Sequence, residues 1–197
     1  MREKQFYIDR AESCLQGIEK IKAEITKYKS VKKRREMAEK YAQDLAILEK
    51  EYRVNRSAYD VLFFAYEYFS DDRNPDNDNN LIPKGAKMED APKVHRELCD
   101  MLNDIAWDNH SGKVCYSMPR GFAKSTFVSN VFPIHQCYFE CATDGGRKYI
   151  LIISETEDLS TKFVEYINSQ LKYNEKLRND FGTIMDTSKF NNRVIPG

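Results

Sequence analysis

The sequence predicts an α/β fold: part of a parallel sheet with crossover helices, preceded by an N-terminal helical hairpin. Three observations predict it. Residues 113–126, KVCYSMPRGFAKST, read as a short apolar strand, a tight turn, and Lys-Ser-Thr opening a helix. Residues 148–154, KYILIIS, form a near-continuous apolar run of the kind a parallel strand buried on both faces shows. Residues 3–52 place apolar side chains three or four positions apart between charges, the period of amphipathic helices.

Composition sets the limits. The chain has 197 residues with 31 basic and 31 acidic side chains, and its mean hydropathy of −0.68 leaves room for only a modest core. That length allows one domain plus an appendage. Zero net charge excludes a protein that coats nucleic acid through its overall field, while leaving a local basic patch open. No apolar run reaches the roughly 18 residues of a membrane span. The opening MREKQFYIDRAES also lacks the apolar core of a secretory signal. Of the five cysteines, Cys137 and Cys141 are one helical turn apart with His135 nearby. No second cluster completes a zinc-like set, so buried reduced thiols are the better reading.

Taken in order, residues 1–56 are expected to form a helical hairpin or short coiled coil. Ala11, Leu15, Ile18, Ile21, Ile25 and Tyr28 make one stripe, and Met37, Tyr41, Leu45, Leu48 and Tyr52 the other, with a turn near Ser30. The basic run Lys32, Lys33, Arg34, Arg35 follows that turn as a solvated face or a DNA contact. Residues 57–83 are expected to be an aromatic helix, SAYDVLFFAYEYF, capped by Ser57 or Asp60, and a linker, DDRNPDNDNNLIP. The linker's acids lack the order of a calcium loop. Residues 84–197 are expected to hold a helix over 93–107, the strand at 113–117, and a helix over 124–141 that Pro133 kinks or splits. A turn at Asp144–Gly146, the strand 148–154 and a helix over 156–180 complete them. Strand, helix, strand, helix is a βαβ crossover.

The turn carries the chemistry. A phosphate-binding loop reads G-x-x-x-x-G-K-[ST]: its amides wrap the β-phosphate, its Lys reaches the β/γ oxygens and its hydroxyl ligates Mg²⁺. Aligning Lys124 with the motif Lys puts Met118 and Ala123 at the two glycine positions. By the strict pattern this is a miss, and it is not by itself fatal, because a phosphate needs inward amides at a helix N-terminus more than it needs particular glycines. The competing reading is a strand–turn–helix corner whose Arg120 and Lys124 are merely solvated. Gly121 keeps one permissive position, Ala123 is the smallest side chain available before Lys124, and Pro119 stiffens the entry. Arg120 adds a second cation four residues ahead of Lys124.

HRELCDML, SMPRGFAKST and YILIISETEDLSTKFVEYINSQLKYNEKLRNDFG together resemble the ATPase domain of the large terminase subunit of tailed bacteriophages, with FAYEYFSDDRNPDNDNNLIP similar to its leader. The resemblance spans about residues 57–182. It implies a P-loop NTPase-type parallel sheet, here partial, and a motor that uses ATP and Mg²⁺ to drive viral double-stranded DNA into a procapsid. It further implies a homo-oligomeric ring, the portal protein and the small terminase subunit as partners, no membrane, and the cytoplasm of the infected bacterial host. By resemblance, Lys124 and Arg120 are the catalytic cations, Lys124 on the β/γ-phosphates and Arg120 on the γ-phosphate. Pro119, Arg120, Gly121, Phe122, Ala123, Lys124, Ser125 and Thr126 bind the nucleotide, Ser125 also ligating Mg²⁺ through its hydroxyl. His95 and Arg96 fall where adenine-side contacts arise.

One part of the pattern is missing. A P-loop ATPase also needs an acidic residue for Mg²⁺ and a carboxylate to orient water. No apolar run ending in paired acids follows residue 154, Asp186 stands without a strand before it, and the nuclease carboxylates are absent. Either residues 150–154 are themselves the acidic strand, with Glu155 as the carboxylate, or the chain corresponds to the front part of such a subunit. In the second case it binds nucleotide weakly and does not turn it over alone. Two other readings stay open: a helical adaptor with an inert corner, and a piece of another P-loop NTPase such as a helicase.

Overall fold

The computed structural model describes residues 3–107, 113–139 and 150–184, and its chain divides into two compact units, Met1–Tyr59 and Asp60–Gly197.

The first unit is an antiparallel hairpin of α1 (Lys4–Thr26) and α2 (Val31–Tyr59). The seam in α1 is Ala11, Cys14 and Ile18, all buried, while Leu15 of the expected stripe is 40% exposed. A small residue lets the helices close: a Cβ on Gly17 would lie 3.2 Å from Leu48 Cδ1. Arg10 donates to Glu51 at 2.6 Å beside the seam, and the Cys14 thiol donates to the same carboxylate at 3.6 Å. Burial first, then the Glu51 contact, pushes the Cys14 thiol above its ordinary range.

The second unit is also helical. It contains α3 (Val61–Phe69), a single 3₁₀ turn (Met88–Asp90), α4 (Lys93–Trp107), a π-helical stretch (Thr126–Val131) running into α5 (Phe132–Tyr138), α6 (Glu157–Tyr173) and α7 (Glu175–Phe181). The expected parallel sheet is not there. Among the described residues no strand forms, and the only bridge is an isolated one between Ser70 and Ile82. Residues 113–117 and 150–154 are not helical and their backbone joins no ladder among the described residues; 148 and 149, like the expected turn at 144–146, lie outside the described residues. Extended backbone cannot satisfy its own N–H and C=O groups, so an apolar run becomes a strand only beside a partner.

The core is built by helices in place of the sheet. Val61, Phe64, Ala65, Tyr68 and Phe69 of α3 are fully buried, and Phe64 meets the rings of Tyr68, Phe69, His135, Phe139 and Phe181 at centroid distances of 5.2 to 6.3 Å. Offset and edge-on ring packing of this kind adds to area burial. Asp60 caps α3 by accepting from Phe63 N at 2.8 Å, and Asn103 of α4 accepts from Val61 N at 2.9 Å, so two orphan amides of α3 are satisfied. Leu98, Cys99, Leu102 and Ala106 form the buried face of α4.

Pro133 does not break the helix that follows the loop. Lacking an N–H, it sits near the start of α5, and the turn before it widens so that Phe132 N reaches Phe127 O, five residues back. A π-turn of this kind is one of the ways a helix absorbs a local mismatch.

The Asn-rich segment after α3 folds back on it. Asn74 is buried and donates to Tyr68 O and to Asn174 Oδ1, both at 2.9 Å, while Asn174 donates to Gln170 Oε1 and caps α7 by accepting from Leu177 N. Asn77 donates to Gln170 Oε1 at 3.1 Å, and Tyr166 to Asn79 O at 2.9 Å. Buried amides tolerate burial only when paired, and here the side chains pair one another across 93 to 100 residues of sequence.

Candidate phosphate-binding loop

Residues 118–123 make a turn that feeds a helix beginning at Lys124, so the layout of turn and helix is present without its flanking strands. Two positions in the turn take left-handed backbone, Gly121 at φ 86° and Ala123 at φ 53°. The first is ordinary for glycine; Ala123 is the only non-glycine with positive φ among the described residues. Ala tolerates this region only at a cost, which a larger or β-branched residue would raise. Residue 123 stands where the phosphate-loop pattern has its second glycine, so the backbone there adopts a glycine conformation without the glycine.

Lys124 folds back over the turn. Its Nζ donates to Met118 O at 2.7 Å and to Pro119 O at 3.0 Å, closing a ring over the loop. Neutral carbonyls hold the ammonium, and among the described residues no carboxylate pairs with it, so its charge remains available to an anion. Ser125 is exposed with αR backbone, and its hydroxyl caps nothing. Thr126 opens the π-helical stretch, and Phe127 N donates to Ala123 O at 3.2 Å as an early helical bond. Arg120 and Phe122 are exposed, and Arg120 makes no ion pair among the described residues. The structure therefore brings Pro119 through Thr126 together at one helix start, with Ala123, Lys124 and Thr126 half-buried and the rest exposed.

Beside the loop lies a cleft of about 330 Å³, lined by Lys124 and Ser125 together with Met101, Ile105, Val114 and Tyr116. Its lining is mostly apolar, with Lys124 the one charged side chain among the lining residues, and nothing in the sequence signals that Met101 and Ile105 of the helix over 93–107 face it. His95 packs its ring on Phe127 at 5.2 Å, which keeps it next to the first turn after the loop. Arg96 is committed elsewhere, donating to Ala91 O, Met88 O and Glu89 O to lock the 3₁₀ turn ahead of α4.

The remaining candidates do not gather at the loop. Glu155 is exposed, one residue before Thr156, which caps α6 by accepting from Leu159 N. Asp186 and Cys141 lie outside the described residues, and Cys137 is exposed. Among the described residues, no three His, Cys, Asp or Glu side chains are grouped to hold a metal ion, and no helix is long and apolar enough to cross a membrane. Ser125 alone offers a hydroxyl to Mg²⁺, which a nucleotide's own phosphates would have to help hold. Comparison with known family models, with curated proteins and with solved structures gives no match.

Proposed function

We propose that residues 118–126 bind the phosphates of ATP with Mg²⁺, and that the chain is the ATP-binding part of a DNA-packaging motor of the terminase large-subunit kind. The observation that supports this most is the combination at the loop: left-handed backbone at Gly121 and Ala123, then Lys124 at a helix start, held by the carbonyls of Met118 and Pro119. A helix start carrying a cation held by neutral carbonyls is the setting a polyphosphate needs. Binding would draw Lys124 off its two carbonyls and onto the β/γ oxygens. Ser125 would hold Mg²⁺, which supplies charge neutralisation between the phosphates, and Arg120 would approach the γ-phosphate. His95, on Phe127, stands for the adenine side. The carboxylate that orients water is missing from this set, so the proposal is binding without turnover by the chain alone. Viral duplex DNA, the portal protein, the small terminase subunit and a ring of like subunits are the partners this reading entails, in the host cytoplasm.

A second reading is favoured by a specific observation: the described core is helical and α1–α2 form a compact unit of their own. That is the build of a helical adaptor with an inert corner. Titration of fluorescent ATP with Mg²⁺, beside Lys124→Ala, separates the two. Binding that weakens at least tenfold in the variant, with no phosphate release above background, supports the nucleotide site. Equal affinity in both proteins, or none in either at saturating ligand, gives the adaptor reading the field. At a hundredfold excess of ligand over Kd, the same binding should stabilise the fold by about 2.7 kcal/mol.

A further inference from the structure

The closed end of the α1–α2 hairpin concentrates charge in a way the rest of the chain does not. Residues 27–35, KYKSVKKRR, hold six cations and no acid. This leaves the remainder of the chain with six more acidic than basic side chains, so the neutral whole is strongly polarised. Lys27, Lys29, Lys32, Lys33, Arg34 and Arg35 are all exposed. Within the group, Lys27 pairs with Glu24 and Arg34 donates to Tyr28 O, while Lys29, Lys32, Lys33 and Arg35 have no ion pair among the described residues.

Where these cations sit is unfavourable for folding. Four of them occupy the opening turns of α2, at the positive end of the helix macrodipole, and the first turn contains no acidic residue to offset them. Lys32 and Arg35 are also like charges three residues apart on one helix face. A solvated face alone gives no reason to place charge against the dipole; an anionic partner does. The hairpin seam itself needs none of them, since Ala11, Cys14, Ile18 and Gly17 close it from further along α1.

We infer that the hairpin tip is a docking surface for a nucleic-acid backbone, gripping consecutive phosphates through Lys29, Lys32, Lys33, Arg34 and Arg35 without reading sequence. Phosphate contacts of this kind supply affinity and positioning, and each one neutralised releases counterions. The alternative polyanion, a lipid surface, asks for an apolar face beside the cations. Here Val31 is the only aliphatic side chain in the nine-residue run. This inference stands apart from the phosphate loop and survives if Lys124 proves inert.

The test uses the full chain with a labelled DNA duplex of mixed sequence, followed by anisotropy across a salt series. The expected slope of log K against log salt is about −4, from four to five phosphates at roughly 0.9 each. A variant with Lys32, Lys33, Arg34 and Arg35 all changed to Gln should bind at least tenfold more weakly with a slope of about −1 or shallower, and its circular dichroism should match the parent's. A charge-matched control, Lys84, Lys87, Lys93 and Lys162 changed to Gln, should bind as the parent does. Loss of binding in both variants alike, no binding by the parent at low salt, or preference for phosphatidylserine vesicles over the duplex would each overturn the assignment.

Discussion

Val61–Phe69 and residues 150–154 are both strongly apolar, and the protein treats them in opposite ways. Five side chains of α3 are fully buried at the centre of the second unit, whereas Leu151 and Ile153 are 83% and 82% exposed. Ile150 and Ile152 line an open cleft of about 340 Å³ with Phe132, Pro133 and Gln136 without filling it. The difference lies in the backbone. A helix closes its own hydrogen bonds and needs only caps, which Asp60 and Asn103 supply to α3. An extended segment leaves its N–H and C=O groups to neighbours, and among the described residues none pairs with 150–154. Hydrophobicity sets how much cover a segment demands; hydrogen bonding decides whether the chain can supply that cover locally.

The contrast can be broken by mutation, beginning with its heaviest element. Phe64→Ala removes the ring that four other aromatics and His135 surround, so urea unfolding should show a loss of about 3–5 kcal/mol. A loss under 1 kcal/mol would mean that α3 is not the centre of the unit. Lys176→Met tests whether α3 also depends on a neighbour. Its Nζ donates to Glu67 Oε1 at 2.6 Å, Glu67 O at 3.0 Å and Arg73 O at 2.8 Å, and Glu67 is the single charged residue in α3. Replacing the ammonium removes the Lys176 ion pair from a buried carboxylate, at a cost of about 3 kcal/mol by the same measurement.

Tyr138 gives a smaller and pH-dependent effect. Its ring packs on Phe181 at 4.7 Å, its buried hydroxyl has no partner among the described residues, and burial pushes its pKa up from 10.0 to about 12. The unfolded chain therefore loses this proton first. The contribution is complete below pH 10 and is lost as pH rises toward 12. Tyr138→Phe should stabilise by about 1 kcal/mol at neutral pH, and its advantage over the parent should widen across that alkaline window. A constant difference from pH 7 to 12 would refute the buried phenol. At the other end of the scale, Leu151→Ser should change stability by less than about 0.5 kcal/mol, since the side chain it truncates has almost no cover to lose.

Sequence reading succeeded where structure is set by local rules and failed where it is set by neighbours. The seam of α1 is legible as a period of threes and fours, although Cys14 in place of Leu15 shows that period alone does not select the buried residue. The aromatic content of α3 marks a core segment wherever it packs. The sheet was misread because KYILIIS and KVCYS carry strand composition, and composition contains no information about whether a pairing edge exists. The Asn clasp was unreadable for the opposite reason: Asn74, Asn77 and Asn174 look like turn residues, and only distant pairing makes them core. At the loop, the spacing of Arg120, Gly121, Lys124 and Ser125 could be read directly. The carbonyls of Met118 and Pro119 that hold Lys124 could not, because backbone acceptors have no residue signature.

Native-state hydrogen exchange resolved to single amides tests the central contrast most directly. The account predicts that amides 151–154 exchange at near-intrinsic rates, while those of the second turn of α3, Ala65 to Phe69, persist until global unfolding. Protection at 151–154 comparable with that of α3 would mean the apolar run is paired in a ladder after all, and the helical account of this unit would fall with it.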